Sequence, residues 1–277
     1  MSTTERNKRA KRNLTLKLAL EKTFSRELVS YFNEIRKDVV SFYTATGLLI
    51  NADIYQSKTE MLLERHYKRV MRNFIDEGKY SYRKSLEAKG IEYKQEQKEE
   101  DEKIKATSVL IALAFVETVI QRRALQLIET TSDNIKDAAK RASEKANEFG
   151  TKVSDEFDNG LNRAFKGRQP MIALTETQFM AERAKNIEAA VISRNGDVDP
   201  NSINDGVVAG NPDVKKEWAA ILDDRTRGGH AMADGQTQNM NDPYIVNGEY
   251  LMYPSDTSMG ASLGNIINCR CSSLYGV

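Results

Sequence analysis

Between residues 28 and 165 the apolar side chains recur every three or four positions. Leu28, Phe32, Ile35, Val39 and Phe42 are spaced four, three, four and three apart, which places them on one face of a helix. Ala139, Ala142, Ala146, Phe149 and Val153 repeat that spacing, and Phe157, Leu161 and Phe165 continue the stripe. Residues 59–77 and 104–129 carry helix-favouring composition without proline. The charged run KQEQKEEDEK (Lys94 to Lys103) holds nothing that breaks a helix and predicts a solvated helical stretch. These periods are too short for a long coiled coil, so a bundle or elongated helical hairpins are expected. The longest apolar run, Ala106 to Val116, is bounded by Lys105 and Glu117 and predicts a buried helix. It falls short of the roughly 20 residues that span a bilayer.

The pattern changes near residue 170. All five prolines and ten of the sixteen glycines lie at or beyond that point, where they interrupt helices. Thr175-Glu176-Thr177-Gln178 fits a capping box that would open a helix reaching about Ile192, burying Phe179, Ala184, Ile187 and Val191. Residues 195–213 are loop chemistry, dense in Asn, Asp, Gly and Pro. Tyr244–Val246 and Glu249–Tyr253 flank Asn247-Gly248 and predict a hairpin. Ile266–Leu274 reads as a terminal strand, and Val214–Leu222, around a core-anchoring Trp218, fits strand or helix. The expected class is α+β, with an elongated, mostly helical domain over 1–168 and a small mixed domain over 169–277.

Composition adds exclusions. With 40% hydrophobic and 29% charged residues the chain has the makeup of a soluble globular protein, and no membrane partner is expected. Two cysteines and two histidines supply neither a disulfide framework nor a multi-zinc array. Lys17 interrupts the apolar stretch LTLKLAL, so no secretory signal is read there. The net charge of +1 conceals a division: residues 1–170 carry 33 basic and 26 acidic side chains, residues 171–277 carry 8 and 14. Arg6, Lys8, Arg9, Lys11 and Arg12 form a basic arm that fits non-specific phosphate contact with double-stranded DNA, with a frayed, solubilising terminus as the plainer reading. His66, among Arg65, Lys68, Arg69 and Arg72, predicts a solvated helix face or a surface near DNA.

The back region holds the candidate chemistry. Cys269 and Cys271 are two apart, so on a strand both thiols face one side, and their proximity makes a strained disulfide. With His230 they are candidate zinc ligands, a carboxylate from Asp223, Asp224 or Asp234 closing the set. The same residues also fit two small buried side chains beside a hydrogen-bonded histidine, or a Cys/His nucleophilic pair. Asp224, Arg225 and Arg227 predict a structural turn: carboxylates accept backbone N–H groups and arginines pair with carboxylates elsewhere. The phosphate loop, GxGxxG, HExxH, GxSxG and EF-hand patterns do not occur.

The order DDRTR (223–227), His230, DGQ (234–236), Tyr253-Pro254 and NCRC (268–271), with the helix ALTETQFMAERAKN and the lead-in KKEWAAILDDRTR, resembles the phage Mu protein F-like head morphogenesis family over roughly residues 165–275. That resemblance implies a minor capsid protein of a tailed bacteriophage and no enzymatic reaction. It implies a place inside the virion near the portal, reached from the host cytoplasm during assembly. Portal protein and capsid or scaffold proteins would be its partners, beside the packaged DNA, in head assembly or genome ejection. The rival expectation is a virion-carried metal-dependent or cysteine-based enzyme built on His230, Cys269 and Cys271; an effector fused to such a domain is a third.

Overall fold

A computed structural model describes residues 3–88, 95–199 and 208–276, with side chains for 4–78, 98–199 and 208–276. Four long helices come first: α1 (Thr3–Thr46), α2 (Gln56–Ala88), α3 (Gln95–Phe149) and α4 (Val153–Ser193), with a 3-10 turn at Ala52–Tyr55. Short elements follow: β1 (Lys215–Ala219), α5 (Gly228–Met232), β2 (Thr237–Asn239), β3 (Tyr244–Val246), β4 (Glu249–Leu251), α6 (Leu263–Ile266) and β5 (Ser272–Gly276). The class is α+β. β1 is the centre of an antiparallel sheet ordered β2-β1-β5, which decides that the Trp218 segment is strand. β3 and β4 form the expected hairpin, pairing Ile245 with Tyr250. Its turn puts Asn247 and Gly248 at φ 51° and 79°, the left-handed pair that a two-residue hairpin needs.

The compact units do not part at 168/169. One comprises residues 1–20, 67–116 and 174–277, the other 21–66 and 117–173, so each long helix contributes a segment to both. The second unit has a helical core. Leu28, Phe32, Ile35 and Val39 are buried as the spacing requires, with Phe32 and Phe165 rings 4.8 Å apart. Phe42 is 38% exposed. Of the alanine stripe, Ala142 and Ala146 are buried as expected, Ala138 is buried in place of Ala139, and Phe149 is 64% exposed. α3 ends at Gly150, whose N–H reaches Ala146 O, so Val153 opens a new helix and does not extend that stripe. His66 is buried and lies flat on Phe24, ring centroids 3.8 Å apart, which removes it from any solvated or DNA-facing surface.

α3 departs from expectation twice. Its charged start is helical, yet Asp101 is buried. By length and composition α3 is apolar enough to cross a membrane, with mean hydropathy 1.6 over 18 residues. A count of uninterrupted apolar residues misses this, because Lys105 and Glu117 only bracket the run. Ile104, Ile111, Ala112, Phe115 and Val116 are buried, but Leu110 is 57% exposed, so the expected buried helix buries one face only.

α4 passes through both Pro170 and the expected capping box without a break. Every residue from Thr177 to Ile192 is buried, on all sides of the helix and not one. Burial on that scale overrides a local capping preference worth about 1 kcal/mol. The capping residues instead serve tertiary contacts: Thr175 Oγ accepts from Asn268 N at 3.5 Å, and Gln178 donates to Cys271 O at 2.7 Å.

Candidate metal centre

The expected terminal strand begins late. Leu263–Ile266 is a helical turn, Asn268 takes a left-handed φ of 57°, and β5 starts only at Ser272. Cys269 and Cys271 therefore lie on the bend leading into β5. His230 meets them from α5, whose start lies against the hairpin turn. A Cβ added at Gly229 would stand 2.7 Å from Asn247 Cβ, so glycine is required there. Trp218 on β1, fully buried, sets its indole edge-on to His230 at 5.6 Å and to Tyr244 at 5.3 Å.

His230 Nδ1 lies 3.6 Å from Cys269 Sγ and 3.5 Å from Cys271 Sγ, and all three residues are buried. The three ligand atoms fall within 4.8 Å of one another, so the group can hold a metal ion. A tetrahedral ion with zinc-type bonds would place its N and S ligands about 3.6 Å apart, which is the separation found. The space beside them, between the Arg225–Arg227 turn and Asn268–Arg270, measures about 10 Å³, on the scale of one water. The Cys269 thiol is pulled well below its ordinary range by its hydrogen bond with Cys271, and by His230, against burial. Cys271 is pushed up by that same hydrogen bond and by burial. The hydrogen-bonded pair thus favours the thiolate at Cys269. Among the described residues no carboxylate joins the group.

The neighbouring motifs are fully engaged. Asp223, and not Asp224, holds the turn: its Oδ1 accepts from Arg225 N at 3.1 Å and Thr226 Oγ1 at 3.1 Å. Arg270 grips Asp223 through both terminal guanidinium nitrogens, one at 2.7 Å, and holds that carboxyl well below its usual range. The expected bidentate arginine is thus Arg270; Arg227 donates to Ile267 O, Arg225 approaches Asp223 only at 3.8 Å, and Asp224 is exposed. Asp234 accepts from Ala220 N at 2.8 Å and Arg6 at 2.5 Å. Gln236 pairs its amide with both polar groups of Ile245, at 2.8 and 3.0 Å, standing in for a strand beside β3.

No protein-family model, curated protein or solved structure matches this chain.

The basic arm is a helix with partners. Arg6 pairs with Glu217 and Asp234, Arg9 donates to Tyr275 O at 3.0 Å, and Arg12 pairs with Glu77 at 2.6 Å. Lys8 and Lys11 remain exposed. The opposite charges of the chain's two ends meet inside one unit: the first unit holds 25 basic and 24 acidic residues, the second 16 and 16. The division seen along the sequence is therefore an internal attraction. Three of the five candidate DNA contacts serve the fold.

Sequence reasoning missed the network along the outer edge of β5. Lys17 Nζ, 1% exposed, reaches Glu182 at 2.5 Å, Ser272 Oγ at 2.9 Å and Cys271 O at 3.0 Å. Lys185 meets Glu182 at 2.7 Å and Ser273 O at 3.1 Å, and Glu182 accepts from Ser273 N at 2.9 Å. Side chains of α1 and α4 thus complete an edge that would otherwise expose strand backbone. Burial alone would raise the Glu182 carboxyl, but the two ammonium groups hold it below its ordinary value. Lys17 within LTLKLAL, a charge on an apolar stripe, was the one sequence signal.

Proposed function

We propose that this chain is a structural, minor head protein of a tailed bacteriophage, and that His230, Cys269 and Cys271 hold a zinc ion that ties its C-terminal domain together. One observation carries the reading. Within the motifs behind the resemblance, His230 meets Cys269 and Cys271, Arg270 grips Asp223, and Asp223, Asp234 and Gln236 hold backbone groups. That is the signature of a fold-holding module. Such a domain suits a component positioned at the portal, with portal and capsid or scaffold proteins as partners.

Packaged DNA is a lesser partner in this reading. Lys8 and Lys11 would give weak contact that falls with salt, because each neutralised phosphate releases counterions.

The enzyme reading keeps one point in its favour, the lowered thiol of Cys269 beside His230. Against it, Cys269 is 2% exposed and the adjoining space admits about one water, leaving no room for a substrate.

Quantitative mass spectrometry of purified particles, DNA-filled and emptied, tests the assignment. A few copies per particle are expected, and absence from particles overturns it. Metal analysis tests the centre: one zinc per chain, lost in His230→Ala and Cys271→Ser, is expected. A metal-free wild-type protein would overturn the zinc assignment while leaving the head-protein assignment standing.

A further inference from the structure

We propose that the metal centre is completed by an anionic ligand from outside the chain, entering between Arg225 and Arg227. The inference rests on the zinc reading above and adds its fourth position. Zinc takes four ligands in structural sites, and a three-ligand set leaves one position open. Among the described residues the group contains three ligands. The three carboxylates that sequence offered as a fourth do not serve: Asp223 is held by Arg270, Asp234 by Arg6 and Ala220 N, and Asp224 is exposed.

The space beside the ligands is only partly enclosed, and its wall is formed by the 225–227 turn, Asn268, Arg270 and the three ligand residues. A donor atom can therefore reach the ion without displacing the core. Its volume of about 10 Å³ admits one donor atom of a ligand and no more. The rest of that ligand would project past the turn.

Charge selects the class of ligand. A divalent ion, two thiolates and a neutral imidazole sum to zero. Arg225, Arg227 and Arg270 line the space beside them; Asp223 grips Arg270 and lies 3.8 Å from Arg225, so one carboxylate faces two of the three guanidinium groups. Arg227 is committed to Ile267 O, which fixes its charge at the rim. Arg225, with its side chain 71% exposed, is placed to meet the projecting part of an incoming anion. A neutral donor gains nothing from this rim, whereas a monodentate anion gains from three arginines set against the single carboxylate of Asp223. Two sources share that chemistry: a small inorganic anion, or a carboxylate of a neighbouring protein.

The test uses the full-length protein loaded with Co(II) in place of zinc, because cobalt's visible bands report its ligands directly. Azide and acetate are the probes. Saturable changes of the visible bands with azide are expected, with affinity about two- to fivefold weaker in Arg225→Ala at unchanged metal content. A response to acetate as well would mark a site for a carboxylate, and a response to azide alone a site for a small inorganic ion. Bound cobalt whose spectrum neither anion alters would show a closed, four-ligand centre and overturn the proposal. Failure of wild-type protein to bind cobalt or zinc would instead overturn the zinc reading beneath it.

Discussion

The two halves of α4 bury themselves by different chemistry. From Phe157 to Phe165 it presents Phe157, Leu161 and Phe165 at four-residue intervals, and these meet aromatic neighbours such as Phe32 and Tyr43. From Thr177 to Ile192 it is buried all round and carries Gln178, Glu182, Arg183, Lys185, Asn186 and Glu188 inside. The first half needs only an apolar stripe. In the second, a central helix, Glu182 and Lys185 find partners on α1 and β5 and Gln178 reaches Cys271 O, while Arg183, with no hydrogen-bond partner for its guanidinium, lies over the Phe115 ring at 4.4 Å. Apolar packing tolerates exchange among similar shapes, whereas a buried charge demands a particular partner at a particular place. The second unit is thus held by stripe and volume, and the first by specific pairs.

The largest test of that contrast is Glu182→Ala. It leaves the ammonium groups of Lys17 and Lys185 buried without their carboxylate and Ser273 N–H without its acceptor. A loss of about 3–5 kcal/mol is expected, read by denaturant titration with amide exchange at residues 271–275 as the local probe. A loss below about 1 kcal/mol would break the contrast. Phe157→Ala is the counterpart in the second unit, at a similar cost of about 3–5 kcal/mol, but its destabilisation should be independent of pH.

The pH dependence follows from Lys216. Fully buried, with its ammonium 4.9 Å from the Tyr244 ring and donating to Met252 O at 2.7 Å, it is pushed down to about 7 by burial, against Asp256 and Asp242. In the unfolded chain a lysine titrates near 10.4. Between about pH 7 and pH 10 the unfolded state therefore binds more protons than the folded one, so stability rises with pH, by up to about 1.4 kcal/mol per unit. Below about pH 7 both states are protonated and this contribution is flat. Lys185, likewise pushed down to about 7 by burial, adds a slope of the same sign, so Lys216→Met should remove only the Lys216 share, as thermal unfolding at a series of pH values would show. A slope unchanged by the substitution would remove Lys216 as a source.

Smaller effects refine the picture. Gln236→Ala strips the amide that pairs with Ile245 and should cost about 1 kcal/mol, with faster exchange of the Ile245 amide and no change in the second unit. The double substitution Lys8→Ala, Lys11→Ala should leave stability within about 0.5 kcal/mol, because both side chains are exposed. Loss of more would show that these lysines, like Arg6 and Arg9, belong to the fold.

The comparison of the two regions also sorts what could be read from sequence. A helix that buries one face writes its period into the chain, so the stripe Leu28 to Val39, the stripe Phe157 to Phe165 and the helical class were legible. So was the hairpin, since Asn-Gly between apolar pairs is local turn chemistry. The grouping of His230 with Cys269 and Cys271 was legible as a candidate from residue type and order. A helix buried on every side has no polar face and hence no period to read, which is why residues 177–192 looked one-sided and Thr175–Gln178 looked like a helix start. Ion pairs such as Lys17–Glu182 and Arg6–Asp234 join positions more than 160 residues apart, and no local pattern encodes their pairing. Sequence alone determined the long helical stripes, the hairpin, the charge of each end and the residue types of the candidate centre. Only the tertiary structure decided that the basic and acidic ends neutralise each other, that Asp223 and Arg270 form the clasp, and that nitrogen and sulfurs stand at metal-ligand spacing. Each of these depends on distances between elements, which arise only when the whole chain packs.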